Sequence, residues 1–395
     1  MDTQTTPIHI RLWNRDFWLL ATANLLLTMA AYSQIVNYPM WMLMEGMTWT
    51  DVAFAMGAYG VGIFLLGAFC SYLLQKYRRN HVCELAIWAM AACMAVPFLT
   101  RDFMTVEPWM AILSRLLAGA SFGLAQMTLT STLIVDCSEA SQRTEANYAA
   151  AWFARLAVSL GPLVACVILM VADIRTAQWV AVALAVVSIG LIGLVRFPFR
   201  APDDQVNVVS LDRFFLPEGW LLFLHLIGVT VVIGVLLGFA LQFTTMAQLT
   251  FFAMLMVGFL IALLAEKYVF VNAELLSEIV VGLLLMGGAV VVTMSGNISL
   301  VRFLSPVLIG MGAGLVGSRF LLSFIKLSRH CQRGTSQSTF FLAWEAGIGV
   351  GIGLGTGLSW HEHINILYCS LAVIGIVLLL YVLYTHSWYM KHKNR

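Results

Sequence analysis

Residues 67–77, GAFCSYLLQKY, return 191 positions later as residues 258–268, GFLIALLAEKY, so that Gly67, Lys76 and Tyr77 reappear as Gly258, Lys267 and Tyr268. Further along, Gln142 and Arg143 recur as Gln332 and Arg333, a shift of 190. The same register lays Arg155 on Glu345 and Gly161 on Gly351. Each match is short, but two anchors sharing one register over half the chain indicate an internal duplication. Both copies lie in chain too apolar for a watered surface. Two homologous membrane halves are the arrangement that gives a transporter a site near the bilayer midplane.

Composition leads to the same class. Of 395 residues, 61% are hydrophobic and 11% charged, with mean hydropathy +0.88, too few polar groups to cover a soluble surface. Twelve apolar runs, from 17–38 to 364–384, are long enough to cross about 30 Å of hydrocarbon. When the connecting segments are assigned alternately to two sides, sixteen basic residues fall on one side and Arg101, Arg175 and Arg302 on the other. Arg115, Arg155 and Arg319 fall inside helices. This split predicts cytoplasmic termini, and an odd number of spans would have scrambled it. The reading is a multi-pass protein of the plasma (inner) membrane.

Trp41, Trp49, Trp109, Trp179 and Trp360 fall near outer helix ends, and Trp13, Trp18, Trp220 and Trp388 near inner ones, as interfacial belts require. The first apolar run exceeds a signal-peptide core and has no small-residue cleavage site, so it reads as a retained helix. The seven cysteines form no paired external set and no C-x-x-C motif. Residues 1–200 form a first six-helix bundle, 201–217 a cytoplasmic linker rich in Pro and Asp, and 218–395 a second bundle. No loop is large enough for a soluble catalytic, nucleotide-binding or DNA-reading module. The expectation is therefore an all-α membrane protein with no enzyme activity, no cofactor or metal and no nucleic-acid partner.

Twelve helices in a six plus six duplication, with a polar loop between the second and third and a basic residue in the fourth, resemble the major facilitator superfamily. That loop's usual signature is Gly, then an acid, then a basic cluster. In GAFCSYLLQKYRRNH, Gly67, Lys76, Arg78 and Arg79 match, and Gln75 stands in for the acid. In the fourth helix, SRLLAGASFGLA supplies Arg115, Gly119 and Gly123. The efflux signature of helix five survives as Gly161 and Pro162 in SLGPLVA. Within the superfamily the chain is most similar to the bacterial drug and sugar efflux branch. The resemblance implies that helices one, four, seven and ten line the cavity, which brings forward Asn24, Tyr32, Gln126 and His225.

An ionisable group in hydrocarbon costs about 2.5 to 3.5 kcal/mol on insertion scales, so it needs a partner or a wet cavity. Arg115 lies seven residues past Pro108 and either contacts substrate or snorkels outward; Arg155, about eight residues into helix five, either contacts substrate, snorkels to the cytoplasmic side or forms a gate ion pair. Glu345 lies nine residues into helix eleven, roughly 14 Å at about 1.5 Å per residue, too deep to snorkel. It is protonated, paired or in water, and each option makes it responsive to pH or ligand. Arg319, at comparable depth on helix ten, is its expected partner. Trp344 and Trp152 flank these charges.

Helix eleven carries GIGVGIGLGTG, with glycine at every second position from Gly347 to Gly357. These glycines lack the strand context and spacing of a phosphate loop; they permit close helix approach and bending, which suits a moving gate centred on Gly351. The run His361–Glu362–His363 is not an H-E-x-x-H and reads as a solvated loop.

The leading expectation is a monomeric secondary active transporter that moves a small organic solute by alternating access, as a proton-coupled antiporter driving efflux. The alternatives are an uptake symporter, a facilitator, or a non-transporting receptor of the same fold.

Overall fold

The computed structural model describes residues 12–100, 105–139, 142–197, 207–357 and 360–394. Arg11, Arg101, Pro198, Arg200, Pro202, Asp203, Asp204 and Arg395 lie outside them. Among the described residues the regular structure is helical. Eleven helices are long and apolar enough to cross a membrane. The 22-residue helix Arg79–Thr100 adds the twelfth crossing, about 33 Å long at about 1.5 Å per residue. In lipid every backbone N–H and C=O must be satisfied within the segment, so these apolar runs fold as helices. Their outer faces carry exposed Leu85 (72%), Val171 (81%) and Leu383 (76%), as a lipid-facing surface does.

The chain opens with α1 (Arg15–Met44), capped by Asn14, whose side chain accepts from Phe17 N. It turns at Gly46, φ +83°, and a capping box of Thr48 and Asp51 starts α2 (Trp49–Gly62). The second span continues through a 3₁₀ turn into α3 (Cys70–Lys76). There follow α4 (Arg79–Thr100), then α5 (Pro108–Thr128), which passes through a π-helical segment, Leu129–Leu133, into α6 (Ile134–Asp136). The first half ends with α7 (Arg143–Val171) and α8 (Ile174–Gly193). After the linker come α9 (Trp220–Ala240), α10 (Thr245–Tyr268), α11 (Leu275–Met294) and α12 (Ile298–Leu327). Last are α13 (Arg333–Thr356), α14 (Trp360–Leu380), a second π segment Tyr381–Thr385 and α15 (His386–His392). The His361–Glu362–His363 run falls in the first turn of α14, not in a loop; its side chains lie outside the described positions.

Helices before the linker pack mainly on one another: α1 on α7 and α8, α2 on α5, and α4 on α5 and α8. Those after it do the same, with α9 on α13 and α14, and α12 on α10 and α11. The two groups meet along α2 with α13 and along α7 with α10.

The glycines of α13 divide between these tasks. A Cβ on Gly351 would lie 2.8 Å from Gly234 Cα of α9, while Gly347 and Gly355 face Thr230 and Val235 of the same helix. Gly349, by contrast, would meet Gly60 Cα of α2 at 2.7 Å, and Gly353 would meet Ala53 O at 2.7 Å and Gly57 N at 2.8 Å. Spacing by two residues turns about 200° around a helix of 3.6 residues per turn, so alternate glycines serve opposite faces. Gly351, the expected gating glycine, thus lies on the face toward α9. Gly351 packs inside the second group, and Gly349 and Gly353 form the contact between groups.

The described part of the linker straps both groups together at the end bearing the termini. Ser210 N donates to Ala68 O (3.0 Å), and the Phe214 ring lies where a Cβ on Gly67 would stand. On the other side, Arg213 N donates to Thr335 Oγ1 (2.9 Å) and Leu216 N to Thr339 Oγ1 (2.7 Å), both on α13. Arg213 sits at φ +57°, a left-handed conformation that a non-glycine residue adopts at a cost of roughly 1 kcal/mol.

Candidate functional site

Glu345 lies on α13 where the two groups face each other, and it is 3% exposed. Its Oε2 accepts a hydrogen bond from the Tyr32 hydroxyl of α1 at 2.9 Å. It borders two cavities of about 20 Å³ each, room for about one water apiece. One lies toward Arg115, Tyr59 and Gly349. The other lies toward the terminal end and is lined by Asn24, Gln126, Arg155, Gln337 and Trp344.

Both cavity arginines are buried and, among the described residues, neither pairs with a carboxylate. Arg115 stands over the rings of Tyr59 (4.5 Å) and Tyr38 (5.1 Å), and its Nε has no hydrogen-bond partner. Arg155 stands 4.8 Å over Trp152 and 5.9 Å over Trp344. It reaches across the interface to donate to Ser318 Oγ (2.5 Å) and Gly314 O (3.4 Å) of α12. That approach uses the missing side chain of Gly317, where a Cβ would lie 3.2 Å from Arg155 Nε. Arg155 Nε and Nη2 remain buried without partners, as do the side-chain carbonyl oxygens of Asn24, Gln126 and Gln337. Buried donors and acceptors left unmade are costly, and their gathering around one cavity fits a polar solute that would satisfy them.

The expected Arg319 and Glu345 pair is not formed. Arg319 instead forms an ion pair with Glu278 of α11. The cause is angular: Arg319 follows Ser318, which faces Arg155, by one residue, about 100° around the helix. That rotation turns its guanidinium toward α11. Glu278 went unread because it sits in the first turn of its helix, where a carboxylate passes for a boundary residue.

Other expected site residues divide similarly. Tyr32, Trp344, Arg115, Arg155, Glu345, Asn24 and Gln126 line the two cavities. Asn24 and Gln126 also tie helices together, donating to Ala150 O (2.9 Å) and Thr28 Oγ1 (2.6 Å). His225 lines neither cavity; its ring nitrogens lie 2.8 Å from Leu221 O and 3.1 Å from Thr385 Oγ1, joining α9 to the last span. Gly161 of α7 lets α1 approach, since a Cβ there would lie 2.7 Å from Met29 O. Next to it, Pro162 lies within the same helix. Tyr38, Tyr59, Glu278 and the Tyr148–Glu266 hydrogen bond between α7 and α10 were missed. Only Glu266 had a signal, as the repeat counterpart of Gln75.

At the loop motif, Gln75 Nε2 donates to Ser71 Oγ (2.9 Å), which donates to Asp212 Oδ2 of the linker (3.3 Å). The linker therefore brings a carboxylate to the place where the loop signature lacks its acid. Arg79 forms an ion pair with Asp136 at the end of α6, Lys76 Nζ donates to the Tyr72 hydroxyl (2.7 Å), and Arg78 is exposed.

The fold recurs in solved proteins of low sequence identity. The human organic anion transporter MFSD10 (TETRAN) superposes with TM-score 0.69 at 16% identity, covering 93% of this chain and 98% of that one. A bacterial homologue of the iron transporter ferroportin in an outward-facing state gives 0.67 at 15%, covering 94% and 99%. The nucleoside transporter NupG gives 0.65 at 12%, covering 93% and 99%. No curated protein sequence matches the chain. The sequence model of the Major Facilitator Superfamily matches residues 20–352, and with the twelve-helix fold this places the chain in that superfamily, as a membrane transporter and not an enzyme.

Proposed function

We propose that the protein is a secondary active transporter that exchanges a small organic solute for protons by alternating access, in the direction of efflux. Residues 1–200 and 218–395 are the rocking bodies and 201–217 the link between them. The observation that carries the reading is Glu345: a carboxyl buried between the two groups, touching both cavities, with a hydroxyl and no cation as its partner among the described residues. A carboxyl so placed changes its charge state when water or a ligand reaches it, and rocking alternates that access between the two sides. Arg115 and Arg155, one at each cavity, are the groups that hold the solute, with Trp344 and Trp152 as flat walls. The sixteen to three charge asymmetry supports cytoplasmic termini, and the retained Gly161–Pro162 supports the antiport direction by resemblance.

The test is counterflow and proton-driven accumulation in proteoliposomes, using solutes chosen because they raise the thermal stability of the purified protein. Glu345→Gln should keep solute exchange and lose accumulation driven by a pH gradient. Accumulation with the normal pH dependence in that variant would place the coupling group elsewhere.

A further inference from the structure

Among the described residues a polar cavity larger than the two central ones lies away from the centre. It lies at the end bearing the termini, encloses about 250 Å³ and is lined by Arg79, Arg143, Arg213 and Arg333, with Asp136 and Asp212 as the acids. Four guanidiniums against two carboxylates leave an excess of two positive charges. The space corresponds to about eight waters at about 30 Å³ each.

Two of the arginines are committed: Arg79 to Asp136, and Arg213 to Thr132 Oγ1 (3.2 Å) and Asp212 (3.8 Å). The other two are not. Among the described residues neither Arg143 nor Arg333 has an ion-pair partner, and Arg143 Nε is shielded from solvent without a hydrogen bond. These are the residues that the internal repeat superposes, and each opens a long helix, α7 in the first group and α13 in the second. Neither helix receives a side-chain cap from its N-cap residue, Gln142 or Gln332. Two uncapped helix starts and two unpaired guanidiniums, one of each from either group, thus border one cavity with a positive excess. Guanidinium forks and helix N-termini are the protein groups that match a tetrahedral oxyanion.

We propose that this cavity binds a phosphate-type oxyanion, either a free phosphate or the headgroup of a phosphomonoester lipid, bridging Arg143 and Arg333. The site is complete only while this end of the molecule is closed. The π-helical segment Leu129–Leu133 and α13 meet there so tightly that a Cβ on Gly334 would lie 2.9 Å from Ser131 O, and the linker supplies Asp212 and Arg213. A bound anion therefore favours the state closed at the terminal end, by the linkage between binding and conformation. This holds whichever solute the centre carries.

Cys331 is exposed, lines the cavity and serves as the reporter; a soluble cysteine-containing peptide added to the same sample serves as the internal reference. The experiment measures alkylation of both by N-ethylmaleimide, resolved by mass spectrometry, with the full chain in phosphatidylcholine nanodiscs. Inorganic phosphate replaces chloride at constant ionic strength, and a second set of nanodiscs contains phosphatidic acid. At a phosphate concentration roughly ten times its dissociation constant, Cys331 should react about tenfold more slowly while the reference peptide is unaffected. Protection in phosphatidic acid nanodiscs without added phosphate assigns the lipid headgroup, and protection by phosphate alone assigns the soluble anion. Arg143→Gln with Arg333→Gln should abolish protection at an unchanged thermal unfolding midpoint, and the milder Arg143→Lys with Arg333→Lys should weaken it. Arg78→Gln, at the same end but outside the cavity, should retain it. A Cys331 rate indifferent to both phosphate and phosphatidic acid overturns the proposal. So does protection that survives the double Gln variant, or that Arg78→Gln removes equally.

Discussion

Gly353→Ala should open the end of the molecule opposite the termini, and Gly351→Ala, two residues away, should not. A Cβ at Gly353 would stand 2.7 Å from Ala53 O and 2.8 Å from Gly57 N, where ordinary contact needs about 3.5 Å, so α2 and α13 must part by roughly 0.8 Å. Overpacking of this kind costs about 1–3 kcal/mol. The cost applies only while the two groups touch, and the gain of about 1 kcal/mol for replacing a helical glycine applies in every state and cancels. The population should therefore shift toward the state open at this end by about 5- to 150-fold. Gly351→Ala clashes instead with α9 of its own group. That cost follows the helix through the whole cycle and should appear as a lower thermal unfolding midpoint with no change in the balance of states. The assay is pulsed electron spin resonance between labels carried on unnatural residues at Met44 and Met246, both exposed at this end. The long-distance component should grow in Gly353→Ala and keep its wild-type fraction in Gly351→Ala. An unchanged distribution in Gly353→Ala, or a shift in Gly351→Ala alone, would show that the two glycine faces are assigned the wrong way round.

Arg319→Gln should destabilise the protein by about 3 kcal/mol, because it leaves the fully buried Glu278 carboxylate unpaired; adding Glu278→Gln should recover most of the loss, and a single variant with the wild-type unfolding midpoint would refute a structural role for the pair. Asp212→Ala removes the acceptor shared by Ser71 Oγ (3.3 Å) and Thr335 Oγ1 (3.2 Å); amide exchange across 207–219 should quicken, while exchange at the centre of α9 stays at its wild-type rate. Reporter fusions after Arg200 and after Arg395 should both read as cytoplasmic, and an external reading for either would remove the basis of the charge-asymmetry argument.

The sequence by itself determined the class, the number of crossings and the duplication. Lipid leaves a spanning segment no choice but to satisfy its own backbone, so runs of apolar residues translate directly into helices. It also singled out Glu345, Arg115 and Arg155, because a charge that cannot reach the interface is conspicuous in a hydrophobic run. Partnership was a different matter. Depth along a helix can be counted from sequence, which is why Arg319 and Glu345 were matched, but the direction a side chain faces depends on which neighbour its helix packs against. One residue of rotation gave Arg319 to Glu278 and left Glu345 with Tyr32, which lies 313 positions away. The same limit hid the division of labour among the α13 glycines: the sequence shows a small-residue run, and only the packing of α9 on one side and α2 on the other tells the two faces apart. The basic cavity is the extreme case. Arg143 and Arg333 were visible as repeat partners, yet their convergence on one space is a product of how two halves and a linker close upon each other, which no local pattern encodes.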